Sequence, residues 1–109
     1  MTNREIQNLL VRQKEYYKSG ATIPVKFRIE QLKKLYAAVQ KYEREIHDAL
    51  QKDLGKSPYE GFMCESGLVL TEIRYMIKHV GKWAGRKRVK TPLAQFPSRS
   101  YTQAVPYGN

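Results

Sequence analysis

The chain has 109 residues, and Lys and Arg total 20 against 10 Asp and Glu, a formal charge of +10. This length allows about one domain with a modest core, and 41% hydrophobic with 28% charged residues excludes the composition of a disordered chain. One cysteine excludes an internal disulfide framework, and no stretch approaches the roughly 20 apolar residues that a membrane-spanning helix needs.

The start Met1-Thr2-Asn3-Arg4-Glu5 is polar and no signal-peptide core follows it, so a reducing cytoplasm is the expected compartment. Thr2 and Glu5 stand at capping-box spacing, in which a hydroxyl and a carboxylate satisfy the free amides of a first turn. A helix is predicted over residues 3–18, with Ile6, Leu9, Leu10, Tyr16 and Tyr17 as its apolar stripe and Gly20 as the residue that ends it. Pro24 suits a first helical position, where its missing amide costs nothing, and a second helix is predicted over 24–41. Ile29, Leu32, Tyr36, Val39, Ile46 and Leu50 keep a three-four alternation, but Glu43 interrupts it. A charge in the seam predicts a break between residues 41 and 44 and a third helix over 43–53, rather than a continuous coiled coil.

Ser57, Pro58 and Glu60 repeat the helix-start chemistry, and a fourth helix is predicted over 58–81. Its stripe of Phe62, Met63, Val69, Leu70, Ile73, Met76, Ile77, Val80 and Trp83 is wider than one neighbour requires. Gly61 and Gly67 each cost a helix about 1 kcal/mol relative to alanine, so both imply close approach by another element. Residues 1–83 thus read as a helical segment and 84–99 as a basic, proline-containing loop. Tyr101, Gln103 and Val105 alternate with smaller residues as one strand over 100–106. A lone strand leaves its amides and carbonyls unpaired, so its ladder partner is expected outside the chain. The predicted fold is mostly α: about four helices and one C-terminal β-strand.

No residue set carries catalytic, cofactor or metal chemistry by itself. Cys64 lies in a helical stripe without a neighbouring histidine and reads as a small packing residue. His47 and His79 lack metal-ligand spacing and are expected at surface or helix-end positions. Glu60 and Glu65 are five apart and do not share a helix face as an acid and base pair would. The run Arg86, Lys87, Arg88 and Lys90 could meet phosphates, but aromatic residues are not interleaved with it as stacking platforms. A solvated loop is expected there, and a nucleic-acid partner is not.

The order of features resembles the amino-terminal segment of a class 3-like aldehyde dehydrogenase. The residues that carry the resemblance are Ser19-Gly20-Ala21-Thr22 with Pro24, Phe27-Arg28, Gln31-Leu32 with Leu35, and Ala49-Leu50 before Asp53-Leu54-Gly55-Lys56. Glu60 and Glu65, Glu72-Ile73 with Trp83, Thr91-Pro92, Pro97-Ser98 with Ser100, and Pro106-Tyr107-Gly108 continue it. The resemblance implies a larger α/β enzyme that oxidises aldehydes to acids with NAD or NADP. It does so through a cysteine thiolate, a glutamate-activated water and an asparagine that stabilises the oxyanion. None of those residues is placed on this chain, and neither is a Gly-x-Gly-x-x-Gly phosphate turn, so no cofactor site is expected within it. The resemblance further implies that Phe62, Glu65 and Val69 lie toward the aldehyde entrance, and that Tyr101, Gln103 and Val105 belong to a subunit-joining arm.

Two functions follow as expectations. The first is a structural segment of such an enzyme, inactive alone, which associates with the remainder of the enzyme or with another copy through its apolar stripe or strand edge. The second is an autonomous basic helical module that binds a protein partner or nucleic acid.

Overall fold

The computed structural model describes residues 1–108 and divides them into two compact units, residues 1–28 with 81 onward, and residues 29–80. Helix α1 runs from Asn3 to Lys18. Its first turn is closed by the Thr2 amide donating to the Glu5 carboxylate at 2.7 Å and the Glu5 amide donating to the Thr2 hydroxyl at 3.4 Å. At its other end the Ser19 hydroxyl donates to the Tyr16 carbonyl at 2.6 Å, and Gly20 takes φ of 78°. Tyr17 then reaches across the sequence, its hydroxyl donating to the Pro106 carbonyl at 2.5 Å. That bond holds the Pro106-Tyr107-Gly108 turn against α1 within the first unit.

Helix α2 spans Val25–Lys41 and α3 spans Glu43–Leu54. Pro24 sits one residue before α2 and supplies the carbonyl that accepts from the Arg28 amide at 3.3 Å. The two helices part at Tyr42, whose φ and ψ of −101° and 18° leave the helical region. Backbone bonds nonetheless continue through it, from Tyr42 to Ala38 and from Ile46 to Tyr42, each at 3.0 Å. The helical run is interrupted there without opening into a loop. Gly55, at φ of 66°, ends α3 in the left-handed conformation and donates to the Gln51 carbonyl.

A helical run then extends from Pro58 to Trp83 as α4 (Pro58–Gly61), a π-helical turn (Phe62–Ser66) and α5 (Gly67–Trp83). Ser57 caps it through the capping box read from the sequence. The π turn was not foreseen; a hydrophobic stripe has no feature that distinguishes one widened turn. Gly61 packs closely on α3: a Cβ there would lie 3.2 Å from the His47 ring and 3.5 Å from Leu50. Gly67 differs from expectation, because its close neighbour is its own helix. A Cβ there would stand 2.6 Å from the Phe62 carbonyl oxygen, the group that accepts from the Gly67 amide to close the π turn.

The stretch 84–99 is not a loop throughout. Strand β1 (Lys87–Val89) lies within it and pairs antiparallel with β2 (Ser100–Thr102), with Lys87 opposite Thr102, Arg88 opposite Tyr101 and Val89 opposite Ser100. The C-terminal strand is therefore shorter than 100–106, and its partner lies inside the chain. A basic, non-alternating tripeptide carries little strand propensity, and its pairing rests on neighbours instead. Arg86 lies 4.3 Å from the Tyr101 ring centroid and donates to the Gln103 side chain at 3.2 Å. Across the neck of the connection, the Thr91 hydroxyl accepts from the Ser100 amide at 2.9 Å and bonds the Ser100 hydroxyl at 3.1 Å.

Burial is slight for a chain of this size. Among the described residues, the buried hydrophobic side chains are Ile73 and Ala84, and none of the large ones is fully enclosed. No helix among them is long and apolar enough to cross a membrane.

Candidate functional site

The most organised cluster of polar side chains surrounds the π turn. Glu60 reaches back to its cap, accepting from both the amide and the hydroxyl of Ser57 at 2.9 Å. Those two bonds, the backbone one first, hold its carboxyl below the usual carboxylate range. Glu65 lies one turn further on and forms an ion pair with Lys56. The hydrogen bond to Glu65 raises the Lys56 ammonium above its ordinary value. The turn is therefore tied to the loop that precedes it.

Its second anchor is Ser66, only 3% exposed, whose hydroxyl lies 3.0 Å from His47 Nε2. A serine and a histidine at this distance are the elements of a nucleophile and its base, but the hydroxyl is enclosed and a substrate has no access to it. The pair instead satisfies a buried hydroxyl and joins α3 to the π turn. Of the candidate entrance residues, the structure places Glu65 in the ion pair, while Phe62 and Val69 stand exposed on the same helical run. Tyr59, Met63 and Leu68 are exposed there as well. The run thus combines polar ties at Glu65 and Ser66 with exposed apolar side chains.

Cys64 departs from expectation: it is exposed rather than packed. Its neighbours Phe62 and Met63 are exposed as well. His79 does sit near a helix end, stacked on Tyr75 at 4.0 Å between ring centroids, its Nδ1 donating to the Tyr75 carbonyl at 2.7 Å. Neither histidine belongs to a group that could hold a metal ion among the described residues. Of the candidate arm residues, Tyr101 and Gln103 both meet Arg86 within the chain, and Val105 is exposed beyond β2.

A second feature is an open, mostly apolar cleft of about 910 Å³ in the first unit, between α1 and the Pro106–Gly108 turn. Tyr16 and Tyr17 form much of its wall, and Thr22, whose hydroxyl is buried without a partner, lies at its edge.

No protein-family model matches the chain. Individual relatives do. The chain is 41% identical over 95 residues to the 4,4'-diaponeurosporen-aldehyde dehydrogenase of Staphylococcus aureus, a match covering 87% of the chain and 21% of the relative. It is 35% identical over 105 residues to a dimeric NADP-preferring aldehyde dehydrogenase of Canis lupus familiaris, covering 95% and 23%. The fold agrees with a solved substrate-bound state of Staphylococcus aureus AldH at a TM-score of 0.80 and 37% identity, covering 94% of the chain and 22% of that structure. The chain thus spans about a fifth of the length of the curated relatives it matches. Sequence and backbone agree over nearly all of its residues, and the chain is a segment of an aldehyde dehydrogenase of the family 3 kind.

Proposed function

We propose that the chain serves as the amino-terminal structural segment of an NAD(P)-dependent aldehyde dehydrogenase, and that it has no activity alone. The observation that carries this reading is the anchored π turn. Lys56–Glu65 and His47–Ser66 fix one side of the helix, while Phe62 and Val69 remain available to line a path for an aldehyde. A wall of this kind selects substrates by apolar contact and contributes nothing to hydride transfer. The thiolate, the activating glutamate and the nicotinamide belong to the rest of the enzyme. We assign that enzyme to the cytoplasm, and the segment's partners are the remaining polypeptide or a second copy, met through the apolar helix face and the residues around Tyr101, Gln103 and Val105.

A graft tests the reading. Residues 1–108 replace the matching segment of the Staphylococcus aureus relative, and aldehyde oxidation is followed by reduced nicotinamide. An active chimera is expected, and Phe62→Ala with Val69→Ala should change the ratio of kcat/KM for long and short aldehydes roughly tenfold, the scale of a few apolar contacts. A folded but inactive chimera would contradict the structural-segment role. An active one whose preference ignored both substitutions would remove the entrance role alone.

A further inference from the structure

The positive charge of the chain is concentrated. From Gly81 to Gly108 the sequence contains Lys82, Arg86, Lys87, Arg88, Lys90 and Arg99 and not one Asp or Glu. Arg86 is occupied with Tyr101 and Gln103. Lys87, Arg88, Lys90 and Arg99 are exposed, and the one ion pair among the described residues lies elsewhere, between Lys56 and Glu65.

Between β1 and β2 this basic strip carries two apolar side chains in the open: Leu93 is 92% exposed and Phe96 83%. They are held in place. A single turn of 3₁₀-helix spans Leu93–Gln95, with the Gln95 amide donating to Pro92, the Phe96 amide to Leu93 at 3.0 Å and the Ser98 amide to Gln95 at 2.8 Å. In such a turn positions i and i+3 eclipse, so Leu93 and Phe96 project from the same side. The Thr91–Ser100 bonds close the loop behind them.

Water is a poor environment for two exposed apolar groups, and a basic strip that contains no acidic residue favours an anionic surface. We propose that the loop 90–99 docks the chain on an anionic lipid bilayer. Leu93 and Phe96 insert at the level of the headgroups, while Lys87, Arg88, Lys90 and Arg99 meet the headgroup phosphates. A bilayer interface supplies both chemistries at the right depths. A nucleic acid would take up the cations, but it offers an aliphatic Leu93 no stacking surface and would leave it in water.

The purified chain is mixed with vesicles of phosphatidylcholine, with and without phosphatidylglycerol, and the bound fraction is read by flotation. Binding to the anionic vesicles should be roughly tenfold or more tighter than to neutral ones and should weaken as salt rises. Leu93→Ser with Phe96→Ser should weaken it roughly tenfold or more, and Lys90→Glu with Arg99→Glu should all but abolish it. Leu35→Ser, an exposed site in the other unit, should leave it unchanged. All these positions are exposed, so circular dichroism should match the parent chain. Equal affinity for both vesicle types, or binding indifferent to Leu93 and Phe96, would overturn the proposal. So would salt-sensitive binding of a DNA duplex, with no vesicle binding, that ignored the Leu93 and Phe96 substitutions, or flotation replaced by concentration-dependent self-association.

Discussion

Gly67 shows how a single hydrogen atom in place of a side chain shapes the most organised part of the chain. A Cβ there would meet the Phe62 carbonyl oxygen at 2.6 Å, a backbone atom that cannot move without opening the π turn. Alanine normally gains about 1 kcal/mol over glycine in a helix, but overpacking against fixed atoms costs roughly 1–3 kcal/mol. Gly67→Ala should therefore lower stability, read as a reduced urea midpoint. Gly61→Ala should have a milder effect, since its tightest contact is 3.2 Å and is made with a side chain rather than with backbone. Ser57 gives a second prediction: Ser57→Ala should cost about 1 kcal/mol. It should also let the Glu60 carboxyl rise part of the way toward its ordinary value in an NMR titration, because the hydroxyl bond is lost while the backbone amide bond, the larger of the two causes, remains. The sign for pH follows. Glu60 is depressed in the folded chain, so its contribution is present above its unfolded value and disappears as pH falls through the folded one. The helix cap and Glu60 were legible in the sequence, being a local pattern of four residues. The enclosed Ser66 and the exposed Cys64 were not, because burial at either position depends on neighbours distant in sequence, as the Ser66 bond to His47 shows.

The helices could be read from the sequence because each carries its own stripe and its own end signals within a few residues. The strand pair could not. β1 and β2 meet across the ten residues between Val89 and Ser100, and β1 is Lys-Arg-Val, which no alternation marks. What secures it is the guanidinium of Arg86 over Tyr101 and its bond to Gln103. A cation against an aromatic face contributes about 0.5–1 kcal/mol at exposed sites, a large share for a ladder of three residues. Arg86→Ala should accordingly reduce hydrogen-exchange protection of the β1 and β2 amides and leave that of α3 unaltered. Equal protection in the variant would show that the backbone ladder needs no such clasp. The Lys56–Glu65 pair is solvent-screened and contributes little to stability, and its consequence is the placement of the turn.

Among the described residues many large apolar side chains are exposed, Leu9, Tyr16, Leu35, Tyr59, Met63 and Leu68 among them. A sequence with an ordinary hydrophobic fraction gives no warning of this, because composition counts apolar residues without saying what covers them. The ordered resemblance did supply the context, and about four fifths of each relative's polypeptide lies outside the stretch that the chain matches. Under the proposed function the chain contributes shape and contact, and the groups that move hydride belong to the rest of such an enzyme. The most direct test is to incubate the purified 109-residue chain with a long-chain aldehyde and NAD or NADP and follow reduced nicotinamide. No accumulation above a protein-free control is predicted, and sustained turnover that scales with the amount of chain would contradict the account.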